Sequence, residues 1–354
     1  YTFKWEQSPD DAVWSPAVGT GADQRDFTPA PLYSTTYFRR IVNAGGAKPQ
    51  ADTVSKSVEV FVYPAISNNN IYGIDTICYD LTPLPITGDQ PAGGDGTNYN
   101  YQWQSSTNLT EWSDESLFIS NQPLSPEPLT ASTYYRRYVT STPYCSDYSD
   151  TVIVTVLPSI GNNVFVPIID TVICEGNSPG VLRAEQPSDG DGSYDYLWQK
   201  KDAAAWTDIA GSNMQQISIG PLTVNTEYRR VVFSGNDDAC IDTSGIKLVT
   251  VLPSVTNNTI TIDSSRYCEG DIPSVITGTS PSDGGGPGSY SYKWHINSGS
   301  SWDEITGAED INYSHGTLSQ SVQFRRIVIS GDFNACKDTT GPLNLTVIPA
   351  IINN

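Results

Sequence analysis

Four times the chain returns to a tryptophan that closes an aromatic phrase: Trp5, Trp103, Trp198 and Trp294, at intervals of 98, 95 and 96 residues. A period of that length, carried along the whole chain, means one structural unit copied in tandem rather than one large core. A second tryptophan follows each first one, at Trp14, Trp112, Trp206 and Trp302. Pairs of arginines then begin at Arg39, Arg136, Arg229 and Arg325, and related phrases (YPAISNN, LPSIGNN, LPSVTNN, IPAIINN) close the repeats. These marks divide the 354 residues into an incomplete repeat at 1–66 and complete repeats at 67–160, 161–255 and 256–354. The first lacks the segment that precedes the aromatic phrase elsewhere.

Within a repeat the patterning is that of strands. Tyr99, Tyr101 and Trp103 alternate with polar residues, and Val152, Val154 and Val156 share one face of TVIVTVLP. Turns rich in glycine and aspartate, such as PAGGDGTN and PSDGDGS, separate them, and no segment shows a helical period. About seven short strands in roughly 95 residues predicts an all-β chain of tandem immunoglobulin-like or fibronectin-III-like β-sandwich repeats. The short proline-marked connections imply defined contacts between neighbours and an elongated rod, roughly 40 Å per repeat at about 3.3 Å per strand residue.

The aromatic phrase is expected to be strand C, with Trp5, Trp103, Trp198 and Trp294 in the core. Adjacent residues of a strand face opposite ways, so the two arginines of a pair do not share a surface. The second of each pair, Arg40, Arg137, Arg230 and Arg326, falls where antibody domains carry a core cysteine. A structural role is expected there, the aliphatic stem covering tryptophan and the guanidinium stacked or paired with a carboxylate at the rim.

Six cysteines form three long-spaced couples: Cys78 with Cys145, Cys174 with Cys240, and Cys268 with Cys336. Their even number and the absence of a CxxC point to disulfides and an oxidising compartment rather than to zinc or redox catalysis. The first cysteine of each couple lies near the start of its repeat and the second in the turn between the arginine strand, expected as strand F, and the closing valine-rich strand, expected as strand G. Both are expected at one pole of the sandwich, giving one bridge inside each complete repeat, worth roughly 4 kcal/mol in the chain-entropy model. Gln50 stands where the second cysteine would fall in the first repeat.

A formal charge of −20 makes nucleic acid a poor partner. No apolar run approaches the roughly 18 residues needed for membrane insertion. The two histidines, His295 and His315, have no nucleophile motif around them, so neither an enzyme nor a cofactor is indicated. Asp189 and Asp191 are a weak calcium candidate at DxDG spacing, with a tight turn as the simpler reading.

The combination of ICEGNSPGVL, GDGSYDYLWQ, the T-x-YRR strand and VTVLPSIxNN resembles repeats of very large Bacteroidota surface proteins, nearest to gliding-motility adhesins of the SprB type exported by type IX secretion. The resemblance spans all four repeats and implies an extracellular, cell-surface filament. Its partners would be neighbouring repeats, surface polysaccharide or other surface proteins. Asp-Thr steps resemble the O-glycosylation motif of that phylum, which would place sugars on Thr53, Thr76, Thr151, Thr171, Thr243 and Thr339. Two other readings stay open: an array of carbohydrate- or ligand-binding modules on a secreted protein, and a fibre subunit that polymerises by strand exchange.

Overall fold

The computed structural model describes residues 1–46, 51–115, 123–142, 145–167 and 171–349. The chain separates into two compact bodies, Tyr1–Leu157 with the first two repeats and Pro158–Asn354 with the last two. Apart from two single 3-10 turns, the regular structure of the described residues is β, and the tandem β-sandwich architecture is present in both bodies.

The third repeat shows the plan. Its main sheet runs, from edge to edge, Thr171–Cys174, Lys247–Leu252, Thr226–Ser234, Asp195–Lys201 and Thr207–Asp208, with Cys240–Thr243 continuing the hairpin on the arginine strand Thr226–Ser234. The opposing layer pairs Phe165–Val166, Gly180–Ala184 and Ile217–Ile219. All pairings are antiparallel except one: the lead-in strand Thr171–Cys174 runs parallel to the closing strand, Thr171 opposite Val249 and Cys174 opposite Leu252. The second and fourth repeats share this main sheet, with Asp75–Cys78 parallel to Val152–Leu157 and Arg266–Cys268 parallel to Leu343–Ile348.

Alternation buries every second residue of the arginine strand. Thr226, Tyr228 and Arg230 face inward, and Tyr228 packs with Trp198, Val249, Phe165 and Leu182 between the layers. Trp198 and Trp294 are fully buried and Trp103 is 4% exposed. Burial strips water from the indole N–H, which finds a carbonyl instead: Trp198 Nε1 donates to Met214 O at 2.9 Å and Trp294 Nε1 to Asp310 O at 2.9 Å.

The first repeat departs from the plan. It has the aromatic strand Thr2–Ser8, the arginine strand Thr36–Asn43 and the closing strand Val58–Val60, but among the described residues no lead-in strand lies along the closing strand. Of its described hydrophobic residues Ala17, Phe38 and Ile66 are buried, the last against Tyr101 and Val139 of the second repeat, and Trp5 and Arg40, expected in the core, are half-exposed. Gln50 lies outside the described residues.

Burial pushes the Tyr135 phenol up to about 12 and raises that of Tyr228 as well. An unfolded tyrosine loses its proton near pH 10, so between about 10 and 12 only the unfolded chain ionises and stability falls as pH rises. Denaturant midpoints measured at pH 9 and pH 11.5 should show the second repeat weakening, and Tyr135→Phe should flatten that dependence.

Candidate functional site: the junctions between repeats

The two arginines of each pair have separate tasks. Arg136, Arg229 and Arg325 lie on the outer face, each guanidinium 4.0–4.4 Å from the ring centre of the second tryptophan of its repeat, Trp112, Trp206 or Trp302. Arg39 sits over Trp14 at 4.1 Å and donates from Nε and Nη2 to Glu6 Oε2 at 3.0 and 2.8 Å. Glutamine replaces that carboxylate in the next two repeats: Arg136 Nε donates to Gln104 at 2.8 Å and Arg229 Nε to Gln199 at 2.7 Å. Such cation–π pairs on an exposed face contribute about 1 kcal/mol each.

Arg137, Arg230 and Arg326 point the other way and are at most 1% exposed. Each guanidinium stacks over a tyrosine of the aromatic strand, one of the two arrangements expected, at 5.3 Å from Tyr101, 5.3 Å from Tyr196 and 5.2 Å from Tyr292, and the hydrogen bonds described for it go to neutral acceptors rather than to a carboxylate. Arg230 Nε donates to Asn163 Oδ1 at 2.9 Å, Nη1 to Gln215 O at 3.1 Å and Nη2 to Glu185 O at 2.8 Å. Arg326 makes the same set with Asn258, Ile311 and Thr279, and Arg137 donates to Asn69 and to the Asp89 carbonyl. Amide and carbonyl oxygens satisfy the fork without a second buried charge. Burial lowers the pKa of all three guanidinium groups.

The asparagines belong to the boundary phrases, the second Asn of SNN, GNN and TNN. Each is itself held: Asn163 Nδ2 donates to Asp242 Oδ2 and Asn258 Nδ2 to Asp338 Oδ2, both at 2.8 Å, and Asn69 Nδ2 to Asp147 Oδ2 at 3.2 Å. The Asp of two Asp-Thr steps is therefore a structural acceptor. In the second repeat Tyr148 follows it instead of Thr. Among the threonines proposed to carry sugar, Thr53, Thr151, Thr243 and Thr339 are exposed, while Thr76 and Thr171 are half-buried in lead-in strands.

Further contacts fasten the linker. Thr256 and Ser282 exchange backbone hydrogen bonds, and Gly284 N–H donates to Pro253 O at 3.1 Å. Gly161 with Ser188, and Ser67 with Ala92, repeat the bridge. The Gly/Asp turn that makes these bonds is pinned by a buried serine at the end of the arginine strand. Ser234 Oγ donates to Asp191 Oδ1 at 2.8 Å and accepts from Asp191 N–H. The Asp191 carboxylate also accepts from Ser193 N–H, the main cause of its lowered pKa. Asp189, in the left-handed region at φ 64°, accepts from Ser188 Oγ. The DxDG pair is thus bound up in the turn, and among the described residues no group of three or more metal-ligating side chains occurs.

The cysteines correct the sequence reading. Cys174 is bonded to Cys336 of the following repeat, with 4.8 Å between Cα atoms, and not to Cys240 of its own. Cys78 and Cys240 are also disulfide-bonded, while Cys145 and Cys268 carry free thiols, so the bridges expected for Cys78 with Cys145 and Cys268 with Cys336 are absent. The reason is the parallel lead-in strand. It delivers Cys174 beside Leu252, at the pole where the chain leaves the third repeat. Cys336 sits opposite Ser330, at the pole where the chain enters the fourth. Expecting both positions at one pole was the error. The bridge closes over the linker: Sγ of Cys336 lies 3.5 Å from the Pro253 carbonyl, and Val255, Val328, Leu252, Tyr290 and Tyr292 pack around it.

The histidines have ordinary surroundings. His295 lies beside Arg325, and burial first, then that charge, lowers its pKa. His315 packs edge-on against Phe324.

The family described as Domain of unknown function (DUF8696) matches the chain four times, over residues 2–64, 67–158, 168–253 and 256–349. No curated protein matches it. Among solved structures it is similar to three N-terminal domains of the highly immunogenic outer capsid protein of bacteriophage RB49, with 12% identity and a TM-score of 0.40 over 79% of this chain and 99% of that one. It is also similar to the FN1–FN3 domains of chicken CNTN1 (13%, TM-score 0.28, 78% of this chain and 97% of that one). A third is extracellular domains 3–5 of Drosophila OTK (10%, TM-score 0.29, 81% and 97%).

Removing the linker asparagine leaves a buried guanidinium N–H without an acceptor. Asn163→Ala should cost the third repeat roughly 3 kcal/mol in thermal unfolding, against about 1 kcal/mol for the exposed clamp in Trp206→Ala. Non-reducing peptide mapping should recover a Cys174–Cys336 peptide and no Cys174–Cys240 peptide.

Proposed function

The chain belongs to the DUF8696 family, whose copies fill most of its length, and we propose that its repeats are the load-bearing stalk of an extracellular bacterial surface fibre or adhesin. The observation that carries this reading is the covalent bond between successive repeats at Cys174 and Cys336. A tether pulled from its ends loads its linkers first. Here load reaching Cys174 crosses to Cys336 through sulfur, and the 162-residue span between them is bypassed. The linker beneath is also held by the asparagine–arginine lock and the backbone bridge, so it is part of the packed structure rather than a loose tether.

Supporting features point the same way. Disulfides persist in oxidising compartments, which fits an extracellular location. The charge of −20 keeps a crowded surface protein soluble and disfavours adventitious association. The shared phrases of the four repeats support kinship with SprB-type gliding adhesins and export by type IX secretion, with sugar on the exposed threonines. Surface polysaccharide and other surface proteins are the partners this reading implies. We assign no catalysis and no cofactor: every recurring polar side chain described above is engaged in holding a repeat or a junction together.

Single-molecule extension separates this from a simple string of modules. Under oxidising conditions the span from Cys174 to Cys336 should stay hidden, and reduction should lengthen the fully unfolded chain by at least about 500 Å, at 3.3–3.6 Å per released residue. Equal contour lengths in both states would remove the stalk assignment.

A further inference from the structure

The second repeat differs from its neighbours on the outer face of its main sheet. Strand register makes Tyr138 the equivalent of Ile41, Val231 and Ile327. Its cross-strand partner Tyr148 stands where the others have Val54, Thr243 and Thr339. The adjacent pair changes as well: Thr140 and Ser146 replace Phe233 and Ile241 of the third repeat. A pair of phenols and a pair of hydroxyls thus occupy positions that the scaffold fills elsewhere without them.

The tyrosines extend the exposed arginine clamp. The Arg136 guanidinium lies 4.0 Å from the ring centre of Trp112 and 4.3 Å from that of Tyr148, and Tyr148 stacks on Tyr138 at 4.5 Å. In the third and fourth repeats the described ring contacts of this arginine end at Trp206 and Trp302. Tyr148 is 50% exposed. Tyr138, the last member of the series, lines an open cleft of about 520 Å³ together with Asn98, Asn100, Thr140 and Ser146. The equivalent cleft of the third repeat, at Asp195 and Phe233, is open at about 340 Å³ although its hairpin cysteine, Cys240, is disulfide-bonded. The cleft therefore belongs to this face of the sheet and does not depend on the state of the hairpin cysteine.

The groups in the cleft define what it can hold. The Asn100 amide, the Thr140 and Ser146 hydroxyls and the Tyr138 phenol make no hydrogen bond among the described residues. The Asp95 carboxylate at its edge is fully engaged, accepting from the backbone N–H groups of Thr97 and Asn98, from Asn98 Nδ2 and from Ser141 Oγ. Arg136 is committed to its two rings and to Gln104. Unengaged hydroxyls and an amide beside a braced aromatic ring, with no unengaged charge, suit a neutral polyhydroxylated ring. Its C–H face stacks on the phenol while its hydroxyls exchange hydrogen bonds with the cleft. An apolar protein surface would instead strip water from these polar groups without replacing it.

We propose that this face of the second repeat is a binding site for neutral polysaccharide. Tyr138 is the stacking platform, braced by Tyr148, Arg136 and Trp112, and Asn100, Thr140 and Ser146 are the hydrogen-bonding groups. The proposal gives the polysaccharide partner named above a place on the chain and rests on that part of the reading; the stalk assignment is decided separately, by contour length.

The test runs the full chain through native gels containing β-glucan, mannan, galactan, xylan or the acidic polymer alginate. At least one neutral polymer should retard it, and alginate should not. The double variant Tyr138→Val, Tyr148→Thr carries the residues of the third repeat, and its dissociation constant for the retarding polymer should rise ~10-fold or more. Thr140→Phe, again the residue of the third repeat, fills the cleft without touching the aromatic series and should abolish retardation. Trp206→Ala, in the clamp of the third repeat, should migrate as the parent does. No retardation by any neutral polymer, retardation by alginate alone, or equal retardation of the parent and both second-repeat variants would overturn the proposal. So would self-association of the parent that both variants abolish, since the face would then be a protein contact.

Discussion

A buried guanidinium in each complete repeat sets what the rest must do. Arg137, Arg230 and Arg326 are placed in the core by strand alternation, next to the tryptophan-bearing strand, and a charge there is tolerated only if its donors are met. The acceptors are backbone carbonyls and one linker asparagine, itself braced by an aspartate on the hairpin. A single side chain therefore ties together the aromatic strand, the opposing layer, the linker and the hairpin. Lysine, with a compact ammonium group, lacks the planar fork that reaches these diverging acceptors.

This lock explains why a repeat begins where the sequence divides it. Asn69, Asn163 and Asn258 end the boundary phrases and fall just inside the repeats that start at 67, 161 and 256, and each contributes to the core of that repeat. The junction between the third and fourth repeats adds the Cys174–Cys336 bond and an apolar cluster around Val255. Neighbouring repeats so joined share stability rather than each folding on its own account, which is the nearest-neighbour behaviour of linear arrays.

The first repeat shows what the lead-in strand contributes, because among the described residues it has the same aromatic and arginine strands without that neighbour. Its Trp5 still donates to a carbonyl, Gln24 O at 3.1 Å, and stacks on Phe27. Its closing strand, however, exposes residues that are buried elsewhere. Core formation in this fold thus depends on a segment that comes before the most conspicuous motifs and is poorer in them.

Much of this was legible in the residues. Aromatic alternation at Tyr99, Tyr101 and Trp103, the arginine pairs and the Gly/Asp turns fixed the strands, the tandem sandwich and the inward direction of the second arginine, because side-chain direction along a strand is a local property. The partner of that arginine was not legible: Asn163 lies 67 residues from Arg230, and nothing local distinguishes an asparagine that holds a charge from one that ends a turn. Cysteine pairing was hidden for a related reason. Spacing within a repeat suggested Cys174 with Cys240, but pairing depends on which pole each residue occupies. That is decided by the parallel direction of the lead-in strand along Lys247–Leu252, a relation between segments some 75 residues apart that only the folded chain establishes.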